Sequence, residues 1–177
     1  MSVAKHSFAL ISVVIPIRNV VDFLSAALQS VVNQDYPAIE VIVVNDGSSA
    51  ATTRMIESCC ALYPLIRIIH QPHLGQAPAR FRGISEAKGE FIVFLDADDV
   101  MLSGSLVMMA STLQQHPEAI AAYGRKITID SDGGYQGDAP TPPEAYCISG
   151  DLLPVLLQGR TVLSNGSVCI RRKVLTA

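Results

Sequence analysis

The stretch Phe91-Ile92-Val93-Phe94-Leu95-Asp96-Ala97-Asp98-Asp99 (FIVFLDADD) decides how this chain is read. Five apolar, β-prone residues run without polar alternation, the pattern of a strand covered on both faces of a parallel sheet. The run then stops in three carboxylates, Asp96, Asp98 and Asp99. In open α/β sheets, ligands bind just beyond the carboxyl ends of the strands. Asp96 and Asp98 are two residues apart, so on an extended chain their side chains leave on the same side, with Cβ atoms about 6–7 Å apart. Like charges that close require a cation, donors or a retained proton. A hard divalent ion such as Mg²⁺ or Mn²⁺ resolves the conflict, taking one or two carboxylates with phosphate oxygens and water. A solvated acidic turn capping the next helix is the plain alternative, and these nine residues leave both open.

Working outward, apolar runs and helical patterns alternate. Ile11 to Ile17 reads as a first strand in which Pro16 removes a ladder donor, so pairing is expected to finish there. Asn19 is placed to cap a helix whose Leu24, Ala27, Leu28, Val31 and Val32 recur at helical spacing. Ile39 to Val44 is a second strand, ending in the turn cluster Asn45-Asp46-Gly47-Ser48-Ser49, which offers helix caps. Met55, Ile56, Cys59, Leu62 and Tyr63 mark a second helix. Leu65 to Ile69 is a third strand, and Gly75 to Ala87 a third helix with Pro78 in its first turn. Past the acids, Ser103 is expected to cap a fourth helix, and Ile120 to Tyr123 reads as a fifth strand. Lys126 to Ile129 is a further short strand, Ser131 to Glu144 a long surface loop, Asp151 to Gln158 a short helix and Val168 to Ile170 a last strand.

Such alternation with short connections is the signature of an α/β, doubly wound, mostly parallel sheet flanked by helices. The right-handed crossover rule then gathers the strands' carboxyl ends on one edge. Ile17–Asn19, Asp46–Ser49 and Asp96–Asp99 meet there.

The totals bound the function classes. The 177 residues form one domain, and 49% hydrophobic against 16% charged residues excludes disorder. A formal charge of −3 leaves no footprint for nucleic acid. No apolar run reaches the roughly 18–20 residues that span a bilayer, and no signal-peptide pattern opens the chain. Cys59, Cys60, Cys147 and Cys169 lack metal-ligand spacing; Cys59 and Cys60 read as core, and a reducing compartment is expected. His70 and His73 flank Pro72 without a third ligand at zinc-like spacing. No Walker A pattern and no G-x-G-x-x-G occurs.

The segments SVVIPIRN, EVIVVNDGSS and GQAPARFRGISEAKGEFIVFLDADD, in that order, resemble the family 2 glycosyltransferases of the GT-A fold, and the later NGSVCIRRKVL is similar to a strand and basic turn of that family. The resemblance implies a Rossmann-like nucleotide-sugar-binding domain. It implies that Pro16, Arg18 and Asn19 line the nucleotide pocket, and that Asp46 accepts a hydrogen bond from the base, usually uracil. It further implies that Arg80 approaches base or phosphates, that Asp96 faces the ribose, and that Asp98 holds Mn²⁺ or Mg²⁺ at the diphosphate. Asp99 is left to local structure. The implied reaction is inverting transfer from a nucleotide-diphosphate sugar, usually a UDP-sugar, to a saccharide or lipid-linked acceptor.

Departures are Ala50 and Ala51 where the family often carries Asp, and Phe81 where Asn is usual. The family's general base lies beyond the segment resembling NGSVCIRRKVL, and nothing in Arg171 to Ala177 can fill that role. The base is therefore expected beyond Ala177, and this chain is expected to be the donor-binding part, truncated before the acceptor region. A binding module that performs no transfer is the alternative. A sugar-nucleotide nucleotidyltransferase ranks last, because SVVIPIRN lacks that class's glycine-rich loop. Expected location is cytoplasmic, with peripheral attachment to the membrane's cytoplasmic face, and an incomplete fold would favour self-association.

Overall fold

A computed structural model describes residues 8–124, 126–130, 132, 134–138 and 168–176. In chain order the elements are β1 (Ile11–Ile17), α1 (Leu24–Val32), β2 (Ile39–Asp46), α2 (Ala50–Cys60), β3 (Ile66–Gln71), α3 (Gln76–Glu86), β4 (Phe91–Phe94) and α4 (Ser105–Gln115). Then follow β5 (Ala121–Tyr123), β6 (Ile127–Ile129), β7 (Tyr135–Asp138), β8 (Val168–Arg171) and α5 (Arg172–Leu175).

Six strands form one sheet in the order β3-β2-β1-β4-β8-β5. β1 pairs in parallel with β2 on one side and β4 on the other, and β2 with β3. β8 enters between β4 and β5 and is antiparallel to both, so the sheet is mixed. β1 keeps its register with β2 through Pro16 and Ile17; pairing runs further than the proline suggested, because parallel partners lie on both sides of a strand that is buried throughout.

The two faces separate by strand alternation. Ile11, Val13 and Ile15 pack with Val41, Val43, Phe91 and Val93 beneath Leu24 and Leu28 of α1, Ile56 of α2, and Leu106 and Leu113 of α4. Val14, Ile42, Val44 and Ile92 point the other way, against Ala79 of α3 and Ala87. Each fully buried aliphatic side chain contributes about 1.5–3 kcal/mol over leaving it in water. Continuous apolar strands are therefore stable only when helices cover both faces, as here.

Several local expectations change. Ser103 does not cap α4: the preceding Gly104 takes a left-handed φ of 78°, and the Leu106 N–H is met by Gln34 Oε1 at 3.2 Å. Asn19 does not cap α1, whose first turn has no side-chain cap. Part of the expected long loop, Tyr135–Asp138, is instead β7, paired antiparallel with β6 in a separate two-stranded sheet. Cys60 is buried, whereas Cys59 is only half-buried. The expected helix at 151–158 lies outside the described residues, as do Cys147 and the final residue, Ala177. Among the described residues, no helix is long and apolar enough to cross a membrane.

Candidate nucleotide site at the carboxyl edge of the sheet

The parallel strands β1, β2, β3 and β4 deliver four turns to one edge. After β1, Pro16 is buried while Arg18 and Asn19 are exposed. Asn19 has φ 54°, a left-handed conformation that asparagine tolerates better than most residues. This geometry joins the first turn to the second. The Asn19 N–H donates to Ser48 Oγ at 3.0 Å, and Asn19 Oδ1 accepts from the Ser49 N–H at 2.9 Å. Ser49 in turn caps α2 by accepting from the Thr52 N–H. Asn45 stiffens the same turn, its amide donating to Thr53 Oγ1 and its oxygen accepting from the Ser48 N–H.

Asp46 ends β2 and is 3% exposed. Oδ1 accepts from Gln71 Nε2 at 2.7 Å and from the Leu74 N–H at 2.9 Å. Oδ2 accepts from His73 Nδ1 at 2.8 Å and from the Gly75 N–H at 2.9 Å. Burial pushes this carboxyl up, but the four hydrogen bonds outweigh it and hold the pKa at about 2. The group is ionised at neutral pH, with its acceptor positions taken from inside the chain. The expected hydrogen bond from a nucleobase to Asp46 thus meets a carboxylate already engaged. Gln71 was not singled out in the sequence and His73 was weighed there only as a metal ligand, because Asp46, 25 and 27 residues away, is brought to them only by strand pairing. The signal available was a histidine two residues before a glycine that opens a helix.

That helix, α3, carries Gln76 and Arg80 to the fourth turn. Arg80 donates through NH2 to Asp96 Oδ1 at 2.7 Å, and Gln76 Nε2 reaches the same oxygen at 3.2 Å. The Arg80 guanidinium lies 6.0 Å from the Phe94 ring centroid. Its Nε is buried and has no hydrogen-bond partner among the described residues.

β4 ends at Phe94, before the acids. Asp96 to Asp99 form a turn closed by the Asp99 N–H donating to the Asp96 carbonyl at 3.0 Å, so the extended-strand spacing does not apply to Asp96 and Asp98. Ala97 is buried, Asp96 faces Arg80 and Asp98 is exposed. Burial pushes the Asp99 carboxyl above its ordinary value; Lys126, 3.9 Å away, opposes this, and Asp96 and Asp98 reinforce it. Among the described residues, no group of three or more His, Cys, Asp or Glu is arranged to hold a metal ion. Burial pushes the thiols of Cys60 and Cys169 up to about 12, which removes them as nucleophiles at neutral pH.

A mostly parallel sheet flanked by helices, with acids and an arginine gathered at its carboxyl edge, defines the GT-A class of α/β fold. S. aureus TarS, solved in complex with UDP-GlcNAc, shares it with a TM-score of 0.71 at 22% identity, over 94% of this chain and 46% of that one. The mannosyltransferase PcManGT from Pyrobaculum calidifontis, solved with GDP-Man and Mn²⁺, matches with a TM-score of 0.60 at 22% identity, over 68% of this chain and 37% of that one. The chain belongs to glycosyl transferase family 2, whose pattern it matches over residues 12–176. The glycosyltransferase GlyG of Streptococcus pneumoniae is 33% identical over 128 residues, 71% of this chain and 42% of GlyG. The uncharacterized glycosyltransferase YibD of Escherichia coli is 37% identical over 89 residues, 50% of this chain and 26% of YibD. The chain therefore spans less than half the length of these curated relatives.

Proposed function

We propose that this chain is the donor-binding part of a glycosyltransferase that moves a sugar from a nucleotide-diphosphate sugar, a UDP-sugar by preference, to a saccharide or lipid-linked acceptor with inversion. The observation that carries this reading is Arg80. Leaving a buried donor unpaired costs about 1–3 kcal/mol, yet the fold holds Arg80 with its Nε unmet beside Asp96 at the carboxyl edge. Such strain is expected where a polyanionic ligand completes the arrangement.

In this reading, Pro16, Arg18 and Asn19 form the wall at the end of β1. Asp96 addresses the ribose hydroxyls, and Arg80 the diphosphate. The fit of a divalent ion rests on the donor chemistry of the acidic turn: carboxylate oxygens only, with Asp98 exposed and its neighbour Asp99 pushed toward protonation. That set suits Mn²⁺ or Mg²⁺ held by Asp98 and completed by phosphate oxygens and water. Bound there, the ion would neutralise charge developing on the diphosphate leaving group. The chain's own residues bind and orient the donor. The general base that deprotonates the acceptor is assigned to none of them. We place it beyond Ala177, in keeping with a chain that spans less than half the length of its relatives.

Calorimetric titration of UDP tests the reading. We expect binding with Mn²⁺ that weakens at least tenfold in EDTA and in Asp98→Ala. A folded protein that binds UDP, GDP and dTDP under neither condition would overturn it. Donor binding without transfer or donor hydrolysis, in this chain and in a longer one, would instead favour a binding module.

A further inference from the structure

The Asp46 carboxylate offers about four acceptor positions, and Gln71, His73, Leu74 and Gly75 fill them. An ionised carboxylate cannot donate, so the proton between Asp46 Oδ2 and His73 Nδ1 belongs to the imidazole. In the neutral ring, Nε2 is then an acceptor. The His73 side chain is 51% exposed, against 5% for its partner, so the accepting nitrogen belongs to the side chain that solvent reaches.

The backbone beneath the ring is fixed independently. Gly47 has φ 70°, and a Cβ built on it would lie 2.5 Å from the His73 backbone nitrogen. Only glycine allows the β2–α2 turn to approach the β3–α3 loop this closely. The same loop runs through Gly75 into α3, which presents Gln76 and Arg80 to Asp96. In its neutral form, His73 is therefore an oriented acceptor on the edge that carries the acidic turn.

We propose that His73, through Nε2, accepts the hydrogen bond from the ring N–H of the donor's nucleobase, and that Asp46 is the positioning residue that fixes its tautomer. The ligand class is a nucleoside diphosphate whose base carries an N–H between two ring carbons bearing oxygen or nitrogen, as uracil, thymine and guanine do. Cytosine and adenine present a lone pair at the equivalent position and face His73 acceptor to acceptor. Sites built around such a hydrogen bond discriminate strongly, because the wrong base leaves a polar group unpaired. This inference rests on the donor-binding reading.

The test uses the full chain with Mn²⁺ and compares UDP with CDP. Wild type should prefer UDP at least tenfold; His73→Ala should lose that preference, through weaker UDP binding and CDP binding that is no weaker than in wild type. Asp98→Ala should weaken both nucleotides and keep the ratio. Two arms need no variant. N3-methyl-UDP should bind wild type no better than CDP, and long-range ¹H–¹⁵N spectra should show His73 protonated on Nδ1, with the Nε2 resonance moving on addition of UDP and not of CDP. A UDP preference that survives in His73→Ala, or an Nε2-protonated ring in the wild-type protein, overturns the inference and leaves the donor site standing. A wild-type protein that binds no nucleoside diphosphate overturns both.

Discussion

An ionised carboxylate that is 3% exposed persists at Asp46 because four donors face it. Its pKa falls from 3.8 to about 2 on folding. A depressed carboxylate contributes stability that is present above its unfolded pKa and lost as pH falls through the folded one. At about 1.4 kcal/mol per pKa unit, the contribution is on the order of 2 kcal/mol. Asp46→Asn should therefore lower unfolding stability at pH 7 by about 2–3 kcal/mol, since an amide nitrogen would face donors. Urea titrations between pH 4 and pH 2 should show a shallower loss of stability in the variant than in wild type. An unchanged slope would mean that the four contacts do not form. The position of Asp46 at a strand's carboxyl end was legible in the apolar run before it. Its partners were not, because nothing local in the sequence records that β3 pairs beside β2.

At the scale of elements, periodicity located the helices α1 to α4, and apolar runs located the six strands of the main sheet, whereas β7 and the short α5 went unread. Helix starts were less legible because their partners are tertiary: Gln34, at the end of α1, reaches the first turn of α4. The packing of α3 on β1 is more demanding still. A Cβ on Gly83 would lie 2.2 Å from Val14 Cγ1. Val14 is fully buried and stiff at χ1, so it has little room to turn away. Gly83→Ala gains about 1 kcal/mol of helix propensity but incurs an overpacking penalty of about 1–3 kcal/mol. With so short an approach the penalty wins, and a net loss of about 1–2 kcal/mol is expected. Adding Val14→Ala should relieve the clash, so the double variant should be more stable than the sum of the single effects by at least about 1 kcal/mol. Additivity in chemical denaturation would refute this contact.

The whole sheet depends on a strand that the sequence placed but could not orient. Four residues, Val168–Arg171, carry no mark of direction or neighbour, yet β8 lies antiparallel between β4 and β5 and connects them. Arg171 secures the junction. Its Nε donates to the Ala119 carbonyl at 2.8 Å, and its NH2 to the Leu113 carbonyl at 2.6 Å, near the end of α4. Its guanidinium lies 5.4 Å from the Phe91 ring centroid, and Glu90 is 3.4 Å from NH1. The basic run at 171–173 thus reads as charge in the sequence and acts, at its first residue, as a buried clamp on carbonyls left over at a helix end. Replacing Arg171 by Met keeps much of the apolar stem and removes the donors. The buried Leu113 carbonyl and the partly buried Ala119 carbonyl then lose their partners, at about 1–3 kcal/mol for the buried one and less for the other, so a loss of about 2–3 kcal/mol is expected. Its distribution matters more than its size. Amide exchange should quicken in β5, β8 and the last turn of α4, while β1, β2 and β3 keep their protection, because the parallel half of the sheet has its own helices. A uniform rise across all six strands would show that β8 and β5 belong to one cooperative unit with the nucleotide edge. Folding of that edge would then depend on a strand far along the chain from Asp96.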